Sequence, residues 1–163
     1  MAGMMHPEIP EKLSKLCDSK QLNYLEAGKC CSDVTLSLII DSFNDLESLY
    51  IESPDYRSNW MQDMLSFKNL KLKTLSIQSQ FKKLFCFEPE ELSQLYKNLP
   101  PEFVLTLKCD TPPENASELV RQKLGPHFKE INNESRNTGG YGGYLYINLG
   151  DYLYFQIREQ TLL

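Results

Sequence analysis

LESLYIES (Leu46 to Ser53) and LKTLSIQS (Leu72 to Ser79) decide how this chain is read. Aligned, they share Leu46 with Leu72, Leu49 with Leu75, Ile51 with Ile77 and Ser53 with Ser79, each at an offset of 26 residues. A constant offset is what repetition of a structural unit leaves in a sequence. Two more stretches fall in the same frame. LNYLEAGKC (Leu22 to Cys30) sets Leu22, Leu25 and Ala27 in place, with Leu22 lying 24 residues before Leu46. PEFVLTLKC (Pro101 to Cys109) puts Leu105 and Leu107 30 residues beyond Leu75 and Ile77.

An LxxLxL opening at such spacings is the start of a leucine-rich repeat, in which each unit is a strand followed by a helix. Cys30 even stands where that consensus takes Asn or Cys, whereas Pro54, Gln80 and Asp110 occupy the place in the other copies. The intervening segments carry helical spacing. DVTLSLIIDSF aligns Val34, Leu36, Leu38, Ile39 and Phe43, with Ser32 or Asp33 as its cap, and YRSNWMQDMLSF aligns Trp60, Met61, Met64, Leu65 and Phe67. EPEELSQLYKNL opens on Pro89 with acids in its first turn, and PENASELVRQKLG stops at Gly125-Pro126.

The pattern predicts an α/β fold, a leucine-rich-repeat-like β/α solenoid of about four repeats. One strand–helix unit cannot hide its own apolar face, so stacked units share a continuous core. After His127 the pattern changes to a short strand, a glycine loop and two aromatic strands, YLYINL and YLYFQIR, joined at Gly150-Asp151. That reads as a C-terminal β-hairpin cap with a two-residue turn. The expected layout is a lead-in helix over 1–20, repeat-like β/α units over 21–128 and the hairpin cap over 129–163, all in one domain. The alternative is a doubly wound sheet: a small α/β enzyme or ligand-binding domain with its site at the carboxyl ends of the strands. Strand order separates the two, because a doubly wound sheet reverses at a switch point.

Composition narrows the function. The chain has 163 residues, 41% apolar and 24% charged, and a net charge of −5. Without a basic stripe to neutralise phosphates, nucleic-acid binding is not expected. No apolar run reaches the length of a membrane span, and the opening MAGMMHPEIPEKLSK lacks a secretory core. A cytoplasmic or nuclear location follows. There Cys17, Cys30, Cys31, Cys86 and Cys109 read as small buried hydrophobes.

Motifs for catalysis are weak, and no enzyme activity or cofactor is expected. The two histidines, His6 and His127, have no neighbouring nucleophile or paired base in the sequence, and His127 beside Pro126 reads as a surface residue. Glu88, Glu90 and Glu91 suit a helix N-terminus and lack further ligands at metal spacing. GGYGG (Gly139 to Gly143) opens a strand, whereas phosphate-cradling loops open a helix, so it reads as a turn.

Surface recognition remains. Side chains alternate across a strand, so the residues between the leucines point onto the concave sheet face. These candidate partner-binding residues are Tyr24 and Glu26; Ser48, Tyr50 and Glu52; Thr74, Ser76 and Gln78; and Thr106 and Lys108, with Val104 beside them. Tyrosine offers large amphipathic contact area at low entropic cost, which suits a protein partner.

LxxLxI repeats of this length, closed by a glycine-bounded aromatic hairpin, resemble the region that follows the F-box in nematode F-box proteins, the FOG-2 homology domain. The resemblance spans Gln21 to Leu163. It implies that the repeat region holds a substrate or partner for a ubiquitin ligase, and that a cullin adaptor is recruited by the F-box ahead of it. The fragment IPEKLSKLCDSKQLNYL echoes an F-box opening, but Leu22 and Leu25 already belong to the first repeat. An incomplete F-box is therefore expected, and recruitment of a cullin adaptor does not follow from the resemblance.

Overall fold

The computed structural model of the chain describes residues 7–8, 10, 22–29, 35–43, 45–52, 59–68, 70–132 and 143–157. Almost all of the expected lead-in helix over 1–20, Cys30, Cys31, the alternative cap residues Ser32 and Asp33, and most of the GGYGG loop lie outside them. The fold is mixed α/β, a seven-stranded sheet with several helices.

Strands are each followed by helical segments through the first three-quarters of the chain: β1 (Tyr24–Lys29), α1 (Leu36–Ser42), β2 (Ser48–Glu52), α2 (Trp60–Ser66), β3 (Thr74–Ser79), α3 (Phe81–Leu84), α4 (Pro89–Asn98), β4 (Val104–Cys109) and α5 (Ala116–Leu124). Three strands follow, β5 (Phe128–Glu130), β6 (Tyr144–Asn148) and β7 (Tyr152–Ile157). The sheet order is β1-β2-β3-β4-β6-β7-β5. Neighbours from β1 to β6 are parallel, and β6-β7 and β7-β5 are antiparallel. No reversal of order interrupts β1 to β4, so the switch point of a doubly wound sheet is missing there.

The leucine frame sets the register. Leu49, Leu75, Leu105 and Leu145 pair in one transverse row, and Ile51, Ile77, Leu107 and Ile147 in the next. All eight are at most 3% exposed. Because side chains alternate across a strand, these rows put the apolar face of every strand on one side. The buried residues of the five helices named above join the same cluster, Trp60, Leu92 and Val120 among them. The strand entrances are tied in the same repeating way. The Asn23 carbonyl accepts from the N–H groups of Glu47 and Ser48, both at 2.9 Å, and the Glu47 carbonyl accepts from Lys73 and Thr74, at 2.7 and 3.0 Å.

Local sequence explains the helix ends. Thr35 caps α1, its hydroxyl accepting from Leu38 N–H at 3.1 Å. At α4 the Glu91 carboxylate reaches back to the Glu88 N–H at 2.7 Å, and Pro89 occupies the first turn, where an N–H has no partner to lose. The short helix α3 was not expected. FKKL is too brief to show a 3.6-residue period.

The C-terminal segment departs from expectation in two ways. Asn148 and Tyr152 form the last pair of the hairpin, so its loop has three residues, Leu149, Gly150 and Asp151, instead of two. Gly150 takes φ of 93°, a conformation that costs glycine little, and its N–H is held by the Asn148 side chain at 3.1 Å. In addition, β6 lies directly against β4 and extends the parallel run, while β5 is displaced to the far edge of the sheet.

Candidate functional site

The face opposite the leucines is built from the alternate positions of the same strands. Register places Tyr24, Ser48, Thr74, Val104 and Tyr144 in one row. Glu26, Tyr50, Ser76, Thr106, Tyr146 and Tyr154 form the next, and Glu52, Gln78, Lys108, Asn148 and Tyr152 a third. All ten candidate residues named from the sequence therefore share one face. None is buried. Tyr24 is 50% exposed and Tyr50 37%, high values for residues that contribute so much apolar area.

The aromatic side chains gather at the two sides of this face. Tyr24 and Tyr50 touch, with ring centroids 5.4 Å apart. Across the sheet, Tyr146 meets Tyr154 edge-on at 5.3 Å, Tyr144 stacks beside Tyr146 at 6.3 Å, and Tyr152 beside Tyr154 at 6.4 Å. Between the two groups, β3 and β4 present only small or slender groups in the first two rows: Thr74, Ser76, Val104 and Thr106.

Sequence reasoning missed the four hairpin tyrosines as part of this surface. Their alternation with Leu145, Ile147, Leu153 and Phe155 was a usable signal, since those four are buried. What the alternation lacked was the pairing of β6 with β4, which brings the tyrosines onto the same face as Thr106.

Charge is unevenly distributed. Glu26 accepts a hydrogen bond from the Tyr24 hydroxyl at 3.0 Å, and that bond raises the Tyr24 phenol above its usual pKa. Glu26, Tyr50, Glu52, Ser76 and Gln78 line a cleft of about 140 Å³ at the carboxyl end of β1 to β3. The Gln78 amide donates to Asp110 at 2.6 Å, which holds it at the cleft's border. Lys108 is exposed two strands from Glu52 in the same row.

Elsewhere the candidate chemical groups are engaged structurally. His127 Nε2 lies 3.1 Å from Glu90, and Lys123 is 3.9 Å from Glu88, so the acids at the start of α4 meet a lysine from the end of α5 and the imidazole of the residue before β5. Of the two described cysteines, Cys109 is buried as expected, whereas Cys86 is exposed and its thiol donates to Asn59 at 3.3 Å. Desolvation of the sulfur raises the pKa of both thiols, partial at Cys86, whose residue is otherwise exposed. Among the described residues no three His, Cys, Asp or Glu side chains converge as a metal-binding group, and no helix is long and apolar enough to cross a membrane.

Comparison of the chain with protein-family models, with curated proteins and with solved structures finds no match.

Proposed function

We propose that this chain is a non-enzymatic protein–protein interaction module, built as a leucine-rich-repeat-like β/α solenoid with a hairpin cap, whose open sheet face holds a protein partner. On this reading it corresponds to the substrate- or partner-binding region of the nematode F-box proteins it resembles, the part that serves substrate recognition in a ubiquitin ligase. The observation that carries the proposal is the face itself. Six tyrosines stand in register on one side of a sheet whose other side is sealed by leucines. A polar, tyrosine-rich surface with few charges matches the composition of the centres of protein interfaces.

The test is affinity capture from native extract with wild type, Tyr50→Ala and Lys97→Ala. Tyr50 points away from the core, and Lys97 is exposed on α4. Tyr50→Ala should weaken binding by about 2 kcal/mol or more, roughly thirtyfold, because interface hot spots favour tyrosine near the centre. Lys97→Ala should capture like wild type. Loss with Lys97→Ala and retention with Tyr50→Ala would move the binding surface to the helical side. Failure of all three to capture anything reproducibly would end the proposal.

A further inference from the structure

The geometry points to an α-helix of the partner as the occupant of this face, lying along β3 and β4 between the tyrosine groups and carrying an arginine or lysine towards Glu26 and Glu52. This rests on the reading of the open face as a protein-binding surface and goes beyond it by naming the shape and chemistry of what binds.

Width is the first argument. In the middle row, Tyr50 on β2 and Tyr146 on β6 are separated by Ser76 and Thr106. Three strand spacings of about 4.8 Å put the two tyrosine positions roughly 14 Å apart. Subtracting one van der Waals contact distance of about 3.5 Å for the two walls leaves a width near the 10–12 Å diameter of an α-helix with its side chains. The floor between them is low, because serine and threonine are short.

Backbone pairing is the second argument. β3 is bonded on both sides, by β2 and β4, and β4 by β3 and β6. An extended peptide laid over them finds no main-chain partners, since strand addition works at a sheet edge. A helix satisfies its own backbone and presents only side chains. The floor hydroxyls can then bond polar side chains of the helix, while Val104 and the ring faces take its apolar ones.

Charge complementarity is the third. Glu26 and Glu52 flank Tyr50 on one wall and line the 140 Å³ cleft. A cationic head entering there meets two carboxylates and the aromatic side chain of Tyr50. Lys108, in the same row as Glu52, repels a second cation from the middle of the trough. The helix is thereby oriented, with its basic residue over β1 and β2.

The experiment uses two display libraries of equal diversity panned on the full chain. One randomises the exposed face of a fixed α-helical scaffold, and the other randomises the same number of positions in an unstructured loop. The helical library should yield the binders, and these should carry arginine or lysine. Ser76→Trp, which fills the floor, and the double change Glu26→Gln with Glu52→Gln should each weaken them by about tenfold or more. Thr106→Trp replaces Ser76→Trp if that variant melts abnormally. Binders from the loop library alone, binders indifferent to a filled floor, or no binders from either library would overturn the inference. A partner lost from native extract with Tyr50→Ala alongside such a failure would leave the face as the binding surface and remove only the helix.

Discussion

The hydroxyl of Tyr96 donates to the main-chain carbonyl of Tyr144 at 2.8 Å, joining α4 to the first strand of the hairpin. Tyr96 is buried against Phe103 and Phe128, and burial lifts its phenol well above the usual pKa. The tyrosine is therefore a neutral donor at all ordinary pH values. Tyr96→Phe keeps the ring and removes the donor, and should cost about 0.5–1.5 kcal/mol in urea unfolding. An unchanged midpoint would show that the bond contributes nothing.

Gly143 is buried beside this tyrosine. A Cβ there would lie 2.3 Å from the Tyr96 ring and 3.0 Å from the Phe103 carbonyl. Since that ring is buried against Phe103 and Phe128, it has little room to give way. Gly143→Ala should destabilise by about 1–3 kcal/mol, the usual cost of overpacking, read from the same unfolding curves. A variant as stable as wild type would mean that the hairpin entrance shifts freely.

The leucine rows make a graded prediction. Leu75 is fully buried at the centre of the sheet, whereas Leu25, in the same row, is only partly buried on the edge strand. Leu75→Ala should cost about 2–5 kcal/mol and Leu25→Ala clearly less, because the cavity term grows with enclosure. Equal losses would contradict the placement of β1 at the edge.

These rows also show what the sequence carried and what it withheld. Leu49, Leu75 and Leu105 recur at intervals of 26 and 30, and the shared LxxLxI frame at those similar intervals exposes the strand positions, their faces and their order. Leu145 comes 40 residues after Leu105, outside the frame, so β6 was not legible as the next parallel strand. Its tyrosines were ambiguous for a physical reason. A tyrosine has an apolar body and a polar tip, so it suits a core, a cap or a surface. Only the pairing of Thr106 with Tyr146 decides that it lies on the open face. The hairpin loop was misjudged by one residue because Gly-Asp alone is a two-residue signal, and the Asn148 side chain that holds the longer loop acts from outside it.

The two described thiols should differ in reactivity. The thiolate is the reacting species, and desolvation of the sulfur raises both pKa values, so the accessible thiol should alkylate slowly at pH 7 and faster as pH rises. Cys86 is exposed and Cys109 is buried. Under native conditions iodoacetamide should label Cys86 first, with Cys109 labelled only as the chain unfolds, as peptide mass spectrometry would show. The opposite order would misplace β4 or the segment before α4.

The hairpin is predicted to be necessary for the whole sheet. Leu145 and Ile147 lie beside Leu105 and Leu107, and all four are fully buried. Removing residues 144–163 strips the partner strand from β4 and deprives Tyr96 of its acceptor. It opens the apolar layer where Phe103 and Phe128 pack, and leaves β4 as an unpaired edge. An exposed edge next to uncovered leucines is a template for association. The truncated chain should aggregate or lose its cooperative melting transition. Point changes keep this prediction independent of truncation. Ile147→Asp, which buries an unpaired charge in the same layer, should destabilise severely, whereas Asn148→Asp on the open face should have little effect. A soluble truncated chain that melts like the full chain, together with a tolerated Ile147→Asp, would show that β1 to β4 and their helices hold together without the hairpin.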